Sequence, residues 1–399
     1  PSSATSRQTD PVIYADNHAT TQPSPRVVAA VVRCLQCCGN AASSHPLGKA
    51  MAARVDHARQ QVAAVAGVPP SLVTFTSGAT EANNLALRGV LDACLRDRNG
   101  RNRLIVSAVE HSSVLSTAKA LEASGRAVVT VLPVDPTGAV DPAVLSRALG
   151  SDVALVSIMH AQNEIGTMND IDALAALCHA KGILLHADAC QSFGKIPCRA
   201  DLVSASAHKL RGPTGVGALI FGNEALRRWI VPQQTGGTQE DGIRAGTTNA
   251  AGIVGFGEAA QETREAWASG EGQRLASLRG LLWTLLRDGL GSEWVRLNGP
   301  SDPARRLPQN LNVTFIGVCP TSLDAAVRDH VCVSGAAACR ALGGERSHVL
   351  DAIGSPDDGA TVRFGLGANT EAEVRTVAQL FVNAALRLRG EGCAIPVKR

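Results

Sequence analysis

Aromatic side chains are scarce in this 399-residue chain: Phe, Trp and Tyr together make 3%, and Tyr14 is the single tyrosine. Proteins that grip single-stranded nucleic acid use such rings as stacking platforms, so the scarcity argues against that class. A dominant charge is lacking as well. The formal net charge is +3 and no long Lys/Arg run appears, which removes the electrostatic case for DNA or an anionic lipid surface. No stretch approaches the roughly 18 consecutive apolar residues of a membrane span. The opening "PSSATSRQTD" has no apolar centre of the kind a secretory signal needs and reads as a disordered lead. The 11 cysteines are an odd number spread over a long chain, unlike the dense framework of a small secreted scaffold. Cys34, Cys37 and Cys38 cluster, yet no second Cys-x-x-Cys or matched histidine pair completes a zinc site. They read as helix-buried thiols, in a reducing setting that is cytoplasmic or in an organelle matrix.

What is present is alternation. The runs "LVTFT" (72–76), "LIVSAV" (104–109), "VALVSIM" (153–159), "GILLHAD" (182–188), "DLVSASA" (201–207) and "GVGALIF" (215–221) read as strands. Their near-continuous apolar character is that of strands covered on both faces. Helical stretches such as "EANNLALRGVLDACL" and "IDALAALCHAKG" lie between them, so the fold class is α/β with a mainly parallel sheet. Near residue 264 the texture changes to a long helix, an extended "NLNVTFIGV" and a final helix. The expected organisation is an N-terminal segment (1–20) that packs with the small domain, a large domain (21–264) and a smaller C-terminal α+β domain (265–399).

Ligands of open parallel sheets bind outside the carboxyl ends of the strands. After "LVTFT" comes "SGATEANN", small residues opening a helix whose free N–H groups suit a phosphate. The next strands are followed by Glu110 and His111; by His160, Gln162, Asn163 and Glu164; by Asp188 and Gln191; and by Ser206, His208 and Lys209. Singly, each has an ordinary structural explanation. Together they match the needs of pyridoxal phosphate: a lysine for the Schiff base, an acid for the pyridinium nitrogen and a phosphate cradle. Lys209, Asp188 and "SGAT" fill these places, with His111 suited to stack on the ring.

One further segment stands out. "VSGAAACRALGGERSHVL" (333–350) sets Cys339 among small and flexible residues, whereas inert buried thiols usually sit among Val, Ile and Leu.

The motifs "YADNHATT", "FTSGATEANNLAL", "VEHSSVL", "VSIMHAQNEIGT", "HADACQSFGKIP", "SASAHKLRGPTGVGAL", "GGTQEDGIRAGTTN", "LNVTF" and "VRFGLG" span nearly the whole chain. In this order they resemble the cysteine desulfurases and the related selenocysteine lyases, fold-type-I, class-V-aminotransferase-like enzymes that use pyridoxal 5′-phosphate. The resemblance implies that Lys209 forms the Schiff base, Asp188 pairs with the ring nitrogen and His111 stacks on the ring. It implies that Gln191 and Asn163 contact the ring hydroxyl or substrate, and that Thr80, Ser206 and His208 bind phosphate. Thr247 would reach the phosphate of a neighbouring subunit in a homodimer, and Arg363 would hold the substrate carboxylate. Cys339, followed at the family's spacing by Ser347, His348, Val349 and Leu350, would be the nucleophile on a mobile loop. L-cysteine would then yield L-alanine, with sulfur carried as a Cys339 persulfide to an acceptor protein. A selenocysteine lyase using the same residues, or a non-catalytic scaffold keeping the fold, are the other readings. The chain departs from the family's usual pattern at Ala336, Gln162, Arg211, Thr214, Ala368, Ala41 and Ala42. Cys190 reads as a small packing residue.

Overall fold

The computed structural model describes residues 12–335 and 346–390. Cys339 and Ala336 lie outside the described residues. In chain order the strands are β1 (Ile13–Tyr14), β2 (Val73–Thr76), β3 (Arg103–Ser107), β4 (Val128–Leu132), β5 (Val153–Ser157) and β6 (Leu184–Asp188). They continue with β7 (Leu202–Ser206), β8 (Gly217–Phe221), β9 (Val295–Leu297), β10 (Asn310–Ile316), β11 (Val331–Cys332) and β12 (Gly359–Gly365).

Seven strands form one sheet in the order β2-β8-β7-β6-β5-β3-β4. The pairs from β7 through β4 are parallel, while β8 runs antiparallel to both β7 and β2. Side chains alternate between two cores, as strand geometry requires. On β3, Ile105 packs into one cluster and Leu104 and Val106 into the other. Helices cover both faces, which is why these strands are apolar throughout. The exception is β4, an edge strand whose Val128 and Val131 are about half exposed; it is not among the strands that the sequence pattern singles out.

A third core joins the three-stranded sheet β12-β10-β9 to the helices Glu271–Leu290 and Glu371–Gly390. Phe381 is its hub, stacked on Phe315 at 5.5 Å and edge-on to Phe364 at 4.9 Å between ring centroids. Residue 264 lies inside the helix Ala250–Ala268, and the chain passes to the third core through the Ser269–Gly270 turn. Of the cysteine cluster, Cys34 is buried in the helix Pro25–Leu35 while Cys37 and Cys38 are exposed. They follow the end of that helix, where no apolar face remains to cover them.

The N-terminal stretch ties the two halves together. β1 pairs in parallel with β11, and Asp16 forms a bridge with Gly365. Two residues further on, the carbonyls of His18 and Ala19 accept hydrogen bonds from Lys209, beyond the end of β7.

Candidate active site

A cavity of about 770 Å³ opens at the carboxyl ends of β3, β5, β6 and β7. Its walls include Thr80, His111, Asn163, Asp188, Gln191, Ser206, His208, Lys209 and Arg363, nine residues expected from the sequence to act together. Thr247 is apart. It lines a smaller cavity of about 220 Å³, which shares Ser77 and Gly215 with the larger one.

Lys209 ends the short turn Ala207–Lys209 directly after β7. Its Nζ donates to the carbonyl oxygens of His18 at 2.5 Å and Ala19 at 2.6 Å. Burial, with Arg363 also acting against the charge, brings its pKa down to about 8. Such an amine is unprotonated far more often than an exposed lysine, which is the state a nucleophilic or proton-accepting lysine needs.

Asp188 closes β6 and is 3% exposed. Its Oδ2 accepts from the Asn83 amide at 2.8 Å, and its Oδ1 from the backbone N–H of Cys190 at 3.0 Å. His111 caps the helix Ser112–Ala123, its Nδ1 accepting from the N–H of Ser113 at 3.1 Å. Nδ1 is thereby an acceptor, which puts the ring's N–H on Nε2. Gln191 is clamped by His18. The amide oxygen lies 2.9 Å from His18 Nδ1, and the amide nitrogen donates to the His18 carbonyl at 3.1 Å. Because an amide oxygen only accepts, Nδ1 of His18 must donate. Burial, with Arg363 next, holds this imidazole's pKa well below the usual value, so it stays neutral. His208 is also neutral, brought down to about 4 by burial and then by Lys209.

The start of the helix Ala79–Arg96 suits an anion. Its N-cap, Gly78, offers no side-chain cap, and a Cβ there would meet nothing within 4 Å. The helix start is therefore open at Gly78 and free of a side-chain cap, the arrangement that accepts an anion. Arg363, on β12, is fully buried; Nη1 donates to the Asn163 carbonyl at 3.1 Å and Nη2 to Asp16 at 2.9 Å. Its Nε has no partner. A lysine of lowered pKa, a fixed carboxylate, an uncapped helix start and a buried guanidinium, all on one cavity, are the donor set that pyridoxal phosphate and an amino acid require. The residues fit the group.

Several side chains of this site carry no separate signal in the sequence reading. Asn83 and Asp16 lie inside recognised motifs, but only folding brings them to Asp188 and Arg363. Glu110 is fully buried. One oxygen accepts from Ser107 Oγ at 2.6 Å and from the N–H of Met159 at 2.8 Å, while Oε2 has no partner. Burial raises its pKa to about 8, so it stays protonated at neutral pH. Gln162 and His160, although they follow β5, do not line the cavity. Gln162 braces its own turn through the N–H groups of Glu164 and Ile165, and His160 pairs with Ser192. Cys190 does line it, but burial and then the Asp188 charge hold its thiol well above the ordinary pKa. That disfavours the thiolate a nucleophile needs.

The described flanks of Cys339 both reach this region. Ser334 donates to Asp16 at 2.7 Å and its carbonyl accepts from the N–H of Arg363. Ser347 donates to Glu164 at 2.5 Å while capping the helix His348–Ala352.

The profile of the Aminotransferase class-V family matches residues 13–377. A cysteine desulfurase of Frankia sp. (strain EuIK1) is 41% identical over 403 residues, covering 97% of this chain and 94% of that protein. "Cysteine desulfurase IscS" of Aeromonas salmonicida (strain A449) is 42% identical over 389 residues, covering 94% and 93%. Among solved structures, a "NifS-like protein" superposes with a TM-score of 0.84 at 32% identity, covering 95% of this chain and 100% of its own.

Proposed function

The chain belongs to the Aminotransferase class-V family, among its cysteine desulfurases, and on that premise we propose that it removes the sulfur of L-cysteine and passes it to an acceptor protein. The observation that carries this is the placement of Lys209, Asp188, His111 and Arg363 on one cavity. Residues 21–264 are assigned to the cofactor-binding domain. Residues 265–399 are assigned to a smaller domain bearing Cys339, and the N-terminal segment 1–20, of which 1–11 lie outside the described residues, is assigned to pack with it.

Pyridoxal phosphate, when bound, supplies an electron sink that stabilises negative charge at the amino-acid α-carbon. Lys209 would be its covalent anchor, Asp188 the partner of the ring nitrogen and His111 the ring's neighbour. Gln191 and Asn163 would contact the ring hydroxyl or substrate. Thr80, Ser206 and His208 would hold the phosphate, with Thr247 of a second subunit. Arg363 would take the substrate carboxylate, in competition with Asp16. Lys209 Nζ, with a pKa near 8, accepts the α-proton. The Cys339 thiolate then takes the sulfur: the C–S bond of cysteine breaks, an S–S bond forms, and L-alanine and a Cys339 persulfide result. A homodimer in the cytoplasm or an organelle matrix fits this reading. All nine cysteines among the described residues are unpaired, and no helix among those residues is long and apolar enough to cross a membrane.

The purified protein, loaded with pyridoxal phosphate and given L-cysteine and a thiol reductant, is expected to release alanine and sulfide in equal amounts. Absence of both overturns the assignment. A turnover ratio strongly favouring selenocysteine reassigns the site to selenocysteine lyase.

A further inference from the structure

Asn83 lies in the first turns of the helix Ala79–Arg96 and is fully buried beside Ala82, Leu85 and Ala86. Its side-chain nitrogen makes two hydrogen bonds of 2.8 Å. One goes to Oδ2 of Asp188, 105 positions away in sequence, and the other to Oγ of Ser113, 30 positions away. The amide nitrogen is the donating end, set against the Asp188 carboxylate oxygen that accepts. The Ser113 hydroxyl, having accepted from Asn83, turns its own hydrogen to Nδ1 of His111 at 2.8 Å. The result is an unbroken chain from Asp188 through Asn83 and Ser113 to His111.

The oxygen of Asn83 has no partner. A buried amide with an orphan acceptor costs stability at its helix position. An asparagine serving structure alone would satisfy both its ends. This one spends both hydrogens on the chain that links Asp188 to the ring-facing imidazole.

We infer that Asn83 is a positioning residue of the reaction, one amide that fixes the Asp188 carboxylate and, through Ser113, the His111 imidazole relative to each other. The inference rests on the pyridoxal-phosphate reading of the cavity. The amide also leaves Oδ1 of Asp188 to the Cys190 N–H alone, so the carboxylate keeps lone pairs for a ring nitrogen. The Ser113 hydroxyl reaches the same Nδ1 that accepts from the Ser113 backbone N–H, so the Asn83 limb adds to a tautomer with its proton on Nε2.

The test titrates apo-protein with pyridoxal phosphate in wild type, Asn83→Ala and Ser113→Ala. It follows equilibrium affinity and the visible circular dichroism of the bound cofactor, with the melting temperature as a control for folding. Loss of a hydrogen bond to a charged acceptor predicts affinity about tenfold to a hundredfold weaker in Asn83→Ala, with a changed circular dichroism band. Ser113→Ala removes the hydroxyl link but keeps the backbone N–H on His111 Nδ1, and is expected to stay within about threefold in affinity while its circular dichroism band changes. If Asn83→Ala does not fold, Asn83→Ser is titrated instead, with a loss of at least about threefold expected. Wild-type affinity and an unchanged band in the Asn83 variant, even with a lowered melting temperature, overturn the inference. A wild-type protein that does not bind pyridoxal phosphate overturns the underlying reading instead, so the two failures are distinct.

Discussion

At the scale of single residues, burial decides which groups are chemically available. Lys209 and Glu110 are both moved to about 8 from opposite sides. The lysine becomes a weaker cation and the glutamate a neutral acid. Cys190, the cysteine that the described residues place on the cavity, is disfavoured as a thiolate, in keeping with the proposal that Cys339 carries the sulfur. Cys339→Ser is therefore expected to keep the cofactor's visible colour and lose protein persulfide, read by mass spectrometry after exposure to L-cysteine. Normal persulfide in that variant would refute the assignment. Glu110 supplies a prediction in pH. Its folded pKa lies above the unfolded value of 4.5, so its burial carries no ionisation penalty below pH 4.5. The penalty grows as pH rises toward 8, where the unfolded chain binds fewer protons than the folded one. Glu110→Gln removes that dependence, and the variant's melting-temperature advantage over wild type should widen from pH 5 to pH 8. The full effect is on the order of a few kcal/mol, and a constant difference across that range would show that Glu110 is ionised in the fold.

At the scale of elements, the helix start proposed to hold the phosphate depends on how closely β8 approaches it. A Cβ at Gly217 would lie 2.7 Å from the backbone of Gly78 and 2.5 Å from the Ala205 carbonyl oxygen. Neither can yield as a flexible side chain would. Gly217→Ala should thus push the 78–80 turn outward, at a cost of about 1–3 kcal/mol in stability. It should also weaken pyridoxal phosphate binding, and an equilibrium titration that finds wild-type affinity would argue against this cradle. The loop before Thr247 is anchored in the same region. Glu240 pairs with Arg59 at 2.6 Å, accepts from the N–H of Phe75 on β2, and with Asp241 adopts a left-handed backbone. Such strain persists only where surrounding contacts over-determine it.

At the scale of the whole molecule, the cavity lies where two cores meet, and the chain's own N-terminal stretch joins them. Asp16 holds Arg363 and Ser334 from one side, while His18 and Ala19 hold Gln191 and Lys209 from the other. Thr247 is exposed on a satellite cavity next to the main one, a position that supports its service to a second copy. The protein is expected to run in light scattering at twice its 41.3 kDa chain mass. Thr247→Ala should weaken cofactor binding in that dimer although no residue lining the chain's own large cavity has changed. A monomeric protein with full cofactor affinity would overturn the shared site.

The sequence by itself determined the class of the fold, because strands buried on both faces must be continuously apolar. It also determined the residues that follow each strand, since these are local properties of the chain. Edge strand β4 escaped that reading because half of its side chains face solvent and carry no buried pattern. Only the tertiary structure decided which polar groups meet. Asn83 finds Asp188 across 105 positions, His18 finds Gln191 across 173 and Asp16 finds Arg363 across 347. Hydrogen bonds reach about 3 Å in space and are indifferent to distance along the chain, so no local pattern could announce them.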